Sequence, residues 1–175
     1  MRGVTIILFL IFISSCTNLE EKPEKAKYLD IKGFFEAEIE RLSHQKALVN
    51  KSVRQNEVYE VKTGLTVDWN NELSLFIASD INKPAWRDSY TIRENDNSVS
   101  YLAIDTSLRT RSVLIKKGHN GRPVYFRIKN ITLNNLYESS EELTYVPDSV
   151  YSIDKNQKVR FMGKNSYQIR GIVVK

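Results

Sequence analysis

Two hydrophobic periodicities divide the chain. Ile31, Phe35, Ile39 and Leu42 recur at steps of four, four and three, with Phe34 alongside. Glu36, Glu38, Glu40 and Arg41 lie largely off that stripe, so the spacing predicts an amphipathic helix within 28–49. Gly33 lowers helix propensity near its start, which moves the expected first turn later. Val58, Tyr59 and Val61 predict a strand within 53–63, closed by Gly64. Asp68 is an N-cap residue for a second helix carrying Trp69, Leu73, Phe76 and Ile77 at i, i+4, i+7 and i+8, and Pro84 lies beyond its end. From Ser89 the period changes to two. Tyr90-Ile92, Leu102-Ile104, Val113-Ile115, Val124-Phe126-Ile128, Leu143-Tyr145, Tyr151-Ile153, Val159-Phe161 and Tyr167-Ile169 follow in turn. Turn-forming clusters such as Asn95-Asp96-Asn97, Gly118-His119-Asn120-Gly121 and Gly163-Lys164-Asn165 separate these runs.

Short alternating runs joined by turns make antiparallel hairpins. The predicted class is α+β: two N-terminal helices and one early strand, then a meander of about seven or eight strands. A sheet that long must twist or curl, and its concave face needs cover that only the helices provide. The expected form is a strongly curved, half-barrel-like sheet with the first helix across it. In element order alone this is similar to the half-barrels of periplasmic lipoprotein carriers.

The first residues do not belong to that pattern. Arg2 precedes an apolar run from Val4 to Ile13 broken only by Thr5, too short for the roughly 20 residues of a spanning helix. Ile13-Ser14-Ser15-Cys16 resembles a bacterial lipobox. Small residues there admit a signal peptidase, and the only thiol in the chain accepts the diacylglyceryl group. Thr17 follows, not the aspartate that resembles an inner-membrane retention signal, and this favours the outer membrane. Leu19-Glu20-Glu21 resembles the acidic stretch that sends some Bacteroidetes lipoproteins to the outer leaflet. The expected layout is a signal peptide over 1–15, a lipidated Cys16 with a polar tether over 16–27, and one α+β domain over 28–175.

Four segments together resemble an uncharacterised family of small Bacteroidetes lipoproteins. They are the lipobox, Asp30-Ile31-Lys32-Gly33-Phe34-Phe35, the stretch from Asp80 to Tyr90, and Glu142-Leu143-Thr144-Tyr145-Val146-Pro147-Asp148-Ser149. The resemblance covers most of the chain after Cys16. It implies an envelope lipoprotein and brings no activity, ligand or catalytic residue with it.

Composition removes most chemistry. One cysteine and two histidines leave no disulfide framework and no Cys- or His-rich metal site. There is no HExxH, P-loop, G-x-G-x-x-G or G-x-S-x-G, so no cofactor and no metal are expected. His44 reads as a surface residue of the first helix and His119 as part of a turn. Glu138 and Glu142 share one strand face with Ser140 between them, which reads as a solvated face. No catalytic residue is assigned, and the chain is expected not to be an enzyme.

Two features point to contact with partners. Trp86 beside Pro84, with Arg87, forms a distinctive loop in which an indole either anchors a partner or closes the core. Charge is divided along the chain. Residues 17–107 carry 12 basic and 16 acidic side chains, and residues 108–175 carry 13 and 5. Arg109, Arg111, Lys116 and Lys117 belong to this basic half. In the envelope such a charge meets phospholipid or lipopolysaccharide phosphate rather than nucleic acid. The expected function is a membrane-tethered, non-enzymatic interaction module contacting another envelope protein or an anionic lipid surface. The alternative is a carrier holding an apolar or lipid ligand between the first helix and the sheet. Asp148-Ser149-Val150 also resembles the tripeptide that Bacteroidetes O-glycosylate, with Ser149 as acceptor in an exposed turn.

Overall fold

The first helix, α1 (Ile31–His44), starts where Asp30 accepts a hydrogen bond from the Gly33 amide. A Cβ on Gly33 would collide with that carboxylate, so the glycine that weakens helix propensity also makes room for the cap. A computed structural model describes residues 26–174. The expected signal peptide, Cys16 and most of the expected tether lie outside the described residues. Within them no helix is long and apolar enough to cross a membrane.

α1 ends at Gln45, and Lys46 in the left-handed region turns the chain. Two strands follow, β1 (Leu48–Gln55) and β2 (Val58–Leu65), then α2 (Trp69–Ile77), capped by Asp68 through the Asn70 amide. A 3-10 turn (Pro84–Trp86) leads into a seven-strand meander. Its strands are β3 (Tyr90–Asn95), β4 (Ser98–Ala103), β5 (Thr110–Lys117), β6 (Pro123–Leu133), β7 (Tyr137–Val146), β8 (Val150–Val159) and β9 (Gly163–Val174).

All nine strands form one antiparallel sheet in the order β2-β1-β9-β8-β7-β6-β5-β4-β3. The sheet is open, with β2 and β3 as its edges. The α+β class and the two helices agree with the sequence pattern, but two details do not. The early part of the sheet contributes two strands rather than one, making nine in all, because the expected single strand is a hairpin that begins inside the predicted helix. The helices also do not form an N-terminal pair, since α2 lies between β2 and β3. The missed hairpin turns at Asn56-Glu57, with Asn56 at φ 53°. Asparagine tolerates that conformation, but the usual glycine after it is absent, so the turn is silent in the sequence.

Both helices pack on the same sheet face. Phe35 is fully buried against Phe76 of α2, Phe126 of β6 and Tyr145 of β7, with ring centroids 4.8, 5.1 and 5.1 Å away. Phe34 packs on Phe126 at 4.5 Å, and Trp69 meets Tyr151 edge-on at 6.2 Å. Each such buried side chain contributes about 1.5–3 kcal/mol over exposure. The opposite face bears Arg127, Glu142, Asp154 and Gln168, linked by an Arg127–Glu142 ion pair at 2.8 Å and a Gln168–Asp154 hydrogen bond at 2.7 Å.

Candidate functional site

Each helix sends one carboxylate to a buried tyrosine on the sheet. The Tyr145 hydroxyl donates to Glu38 at 2.5 Å, and Glu38 pairs with Arg41 at 2.8 Å. Arg41 also reaches Asp148 at 2.8 Å. The Tyr151 hydroxyl donates to Glu72 at 2.5 Å, and Lys51 closes on Glu72 at 2.6 Å. Burial, and then the neighbouring carboxylate, push both phenols far above their ordinary range. They are held neutral as donors that dock the helices.

A third charge cluster lies beyond α2 on the same face. Glu141 is buried among Arg109 at 2.6 Å, Lys155 at 3.1 Å and the Asn130 amide at 3.3 Å. Asn130 also donates to Ser79 at 2.8 Å, and Arg109 donates to the Ala78 carbonyl at the end of α2. Burial pushes the Glu141 carboxyl up, but Lys155 and Arg109 together outweigh it and hold Glu141 below the usual carboxylate range. A carboxylate fixed in its charged form between two cations is a structural tie and a poor general acid. Among the described residues Asn130 Oδ1, Ser139 Oγ and the Arg111 guanidinium at Nε and Nη1 are buried without a hydrogen-bond partner. Glu138 and Glu142 share the uncovered face, as strand alternation predicts, and Glu141 lies on the opposite face beneath the helices.

The basic residues singled out in the sequence do not assemble into one patch. Arg109 is consumed by Glu141, and Lys117 by Glu94 at 2.5 Å. Lys116 points the other way, with its ammonium 5.2 Å from the Tyr125 ring centre. Trp86 is half-buried against the core, and the Lys83 ammonium lies 4.1 Å from its ring centre. Arg87 is exposed, and its carbonyl accepts the Tyr28 hydroxyl at 2.6 Å. Ser149 is exposed in the β7–β8 turn, while the preceding Asp148 is engaged by Arg41. His44 and His119 are both exposed. Among the described residues no three His, Cys, Asp or Glu side chains come together as a metal site.

What the sequence reading missed is at one end of the sheet. The β8–β9 hairpin ends in Phe161 and Met162, which are 92% and 80% exposed. The neighbouring β6–β7 hairpin exposes Leu133 and Leu136, and the Arg160 amide donates to the Leu136 carbonyl at 3.0 Å. Lys158 and Lys164 face each other across the β8–β9 ladder, and Lys158 is also opposite Glu138. With Asn56, Ser140, Asn156 and Ser166 they line a groove of about 520 Å³ on the uncovered face. The available signal was Val-Arg-Phe-Met-Gly-Lys. There the period-two rule places Phe161 in a strand, whereas it lies in the turn.

No protein-family model, curated protein or solved structure matches the chain.

Proposed function

We propose that this protein is a bacterial envelope lipoprotein, anchored at the outer membrane through Cys16, that works as a non-enzymatic interaction module. The family resemblance to small Bacteroidetes lipoproteins belongs to the same proposal. So does the half-barrel curvature of the sheet, which is supported by the packing of both helices on one face. One observation carries the choice of module over carrier. The space between α1, α2 and the sheet is filled by Phe34, Phe35, Phe76, Phe126 and Tyr145, while large apolar side chains stand exposed at hairpin ends. A carrier requires the reverse, an apolar cavity inside and a covered surface outside. Glu38, Glu72 and Glu141 are held in ion pairs or tyrosine bonds that serve docking, which supports a role without catalysis.

The test is purification from the native envelope after crosslinking, with proteins and lipids counted together and the N-terminal peptide weighed. A diacylglyceryl Cys16 and a crosslinked envelope component are expected. A stoichiometric apolar molecule extracted from the protein interior would favour the carrier. A Cys16→Ala protein still cut after residue 15 and still membrane-bound would sink the anchor.

A further inference from the structure

We propose that the end of the sheet bearing the β6–β7 and β8–β9 hairpins docks on an anionic phospholipid bilayer. Phe161 and Met162 enter the headgroup–acyl boundary, and the Lys158–Lys164 groove takes a headgroup phosphate. The inference rests on the lipid-anchor reading, since it supplies that anchor with a second contact.

Three independent observations converge. The first is exposure. A phenylalanine and a methionine almost wholly in water at the tip of a hairpin, beside exposed Leu133 and Leu136, are expensive unless something covers them. The second is charge. Lys158 and Lys164 are direct cross-strand partners, an arrangement that repels, and Glu138 offsets only part of it. An anion in the groove between them removes the repulsion. Arg160, whose guanidinium lies 5.5 Å from the Phe161 ring centre, adds a third cation at the tip. Cations flanking exposed apolar side chains are the pattern of an interfacial membrane contact.

The third observation is where the chain enters the domain. Lys27 is fixed to Asp88 at 2.6 Å, just before β3 begins. Strand direction places the start of β3 at the end of the sheet where β4, β6 and β8 finish. Ile104, exposed at that same end, donates its amide to the Ser89 carbonyl at 2.9 Å. The tether therefore arrives at the end that carries Phe161, Met162, Leu133, Leu136 and Ile104. The other end carries the polar Gly118–Gly121 and Pro147–Ser149 turns.

The full chain, purified from its host, is placed in vesicles of phosphatidylcholine with and without phosphatidylglycerol. A spin label is attached at Met162→Cys or, as reference, at His119→Cys in the opposite turn. Collision of the label with oxygen is compared with collision with a nickel chelate. A label at 162 favouring oxygen, more so with phosphatidylglycerol, and a label at 119 favouring the chelate are expected. Lys158→Gln with Lys164→Gln should remove the dependence on phosphatidylglycerol, and Phe161→Ser should lower the oxygen preference. All these side chains are exposed, so melting temperatures should not move. Equal behaviour of the two labels overturns the proposal, and so does shielding of residue 162 found only in native membrane fragments, which would indicate a protein partner. Indifference to phosphatidylglycerol overturns the phosphate site. The mass of the N-terminal peptide reports the anchor separately, so its failure is not confused with failure of the hairpin.

Discussion

The ring of Tyr151 on β8 lies directly against Gly171 on β9, its cross-strand partner. A Cβ at 171 would overlap the ring carbons and the hydroxyl. The missing side chain lets a fully buried tyrosine lean across β9 and still deliver its hydroxyl to Glu72 of α2. Gly171→Ala should therefore cost about 1–3 kcal/mol through overpacking. Chemical denaturation measures it. In a Tyr151→Ala background the same substitution should cost far less, and equal costs in both backgrounds would sink the coupling.

Phe35→Ala should destabilise by about 3–5 kcal/mol, because it removes the ring shared by α1, α2 and the sheet. A denaturation midpoint equal to that of the unaltered protein would mean that α1 contributes nothing to the core.

Alkaline pH should unfold the protein cooperatively. Burial raises the phenols of Tyr90, to about 12, and of Tyr101, Tyr145 and Tyr151. In the unfolded chain these groups ionise near their ordinary value of about 10, so above it the unfolded state binds fewer protons than the folded one. Their contribution is fully present below about pH 10 and is lost as pH rises through the folded values. Phenolate absorbance should show these four buried tyrosines ionising only together with loss of structure. A single smooth titration of all tyrosines in the folded state would contradict this.

Ser149 should carry a glycan if the source is a Bacteroidete. The turn presents its hydroxyl to solvent, and its amide is bonded to Val146 at 3.2 Å. The Asp148 side chain is held by Arg41, so an enzyme reading that aspartate must displace an ion pair. Intact-mass analysis of protein from the native host decides it. A wholly unmodified peptide spanning 143–155 would eliminate the site.

Much of the fold is legible from spacing alone. The α1 stripe Ile31-Phe35-Ile39-Leu42 is the set of residues that α1 buries, and Asp68 caps α2. What escaped was anything decided by a neighbour distant in sequence. Glu38 looked like part of a solvated face, yet it follows Phe34 by four and precedes Arg41 by three, along a second stripe that Tyr145 reaches. β2 is exposed along nearly all its length and has no buried face to set a period. The charge count did not show that Lys116 and Lys117 leave opposite faces of β5, or that Arg109 and Lys155 are spent on Glu141. Phe161 looked like core because hydropathy carries no sign of solvent.

The placement of β9 between β8 and β1 has a consequence for the order of assembly. The β1–β2 hairpin joins the sheet only through β9, so residues 48–65 cannot find their partner until residues 163–174 have been made. A pairing across more than a hundred residues is slow to close. During synthesis the early hairpin therefore waits, its free β1 edge unpaired until β9 arrives. The last strand is the latch that joins the early hairpin to the rest of the sheet.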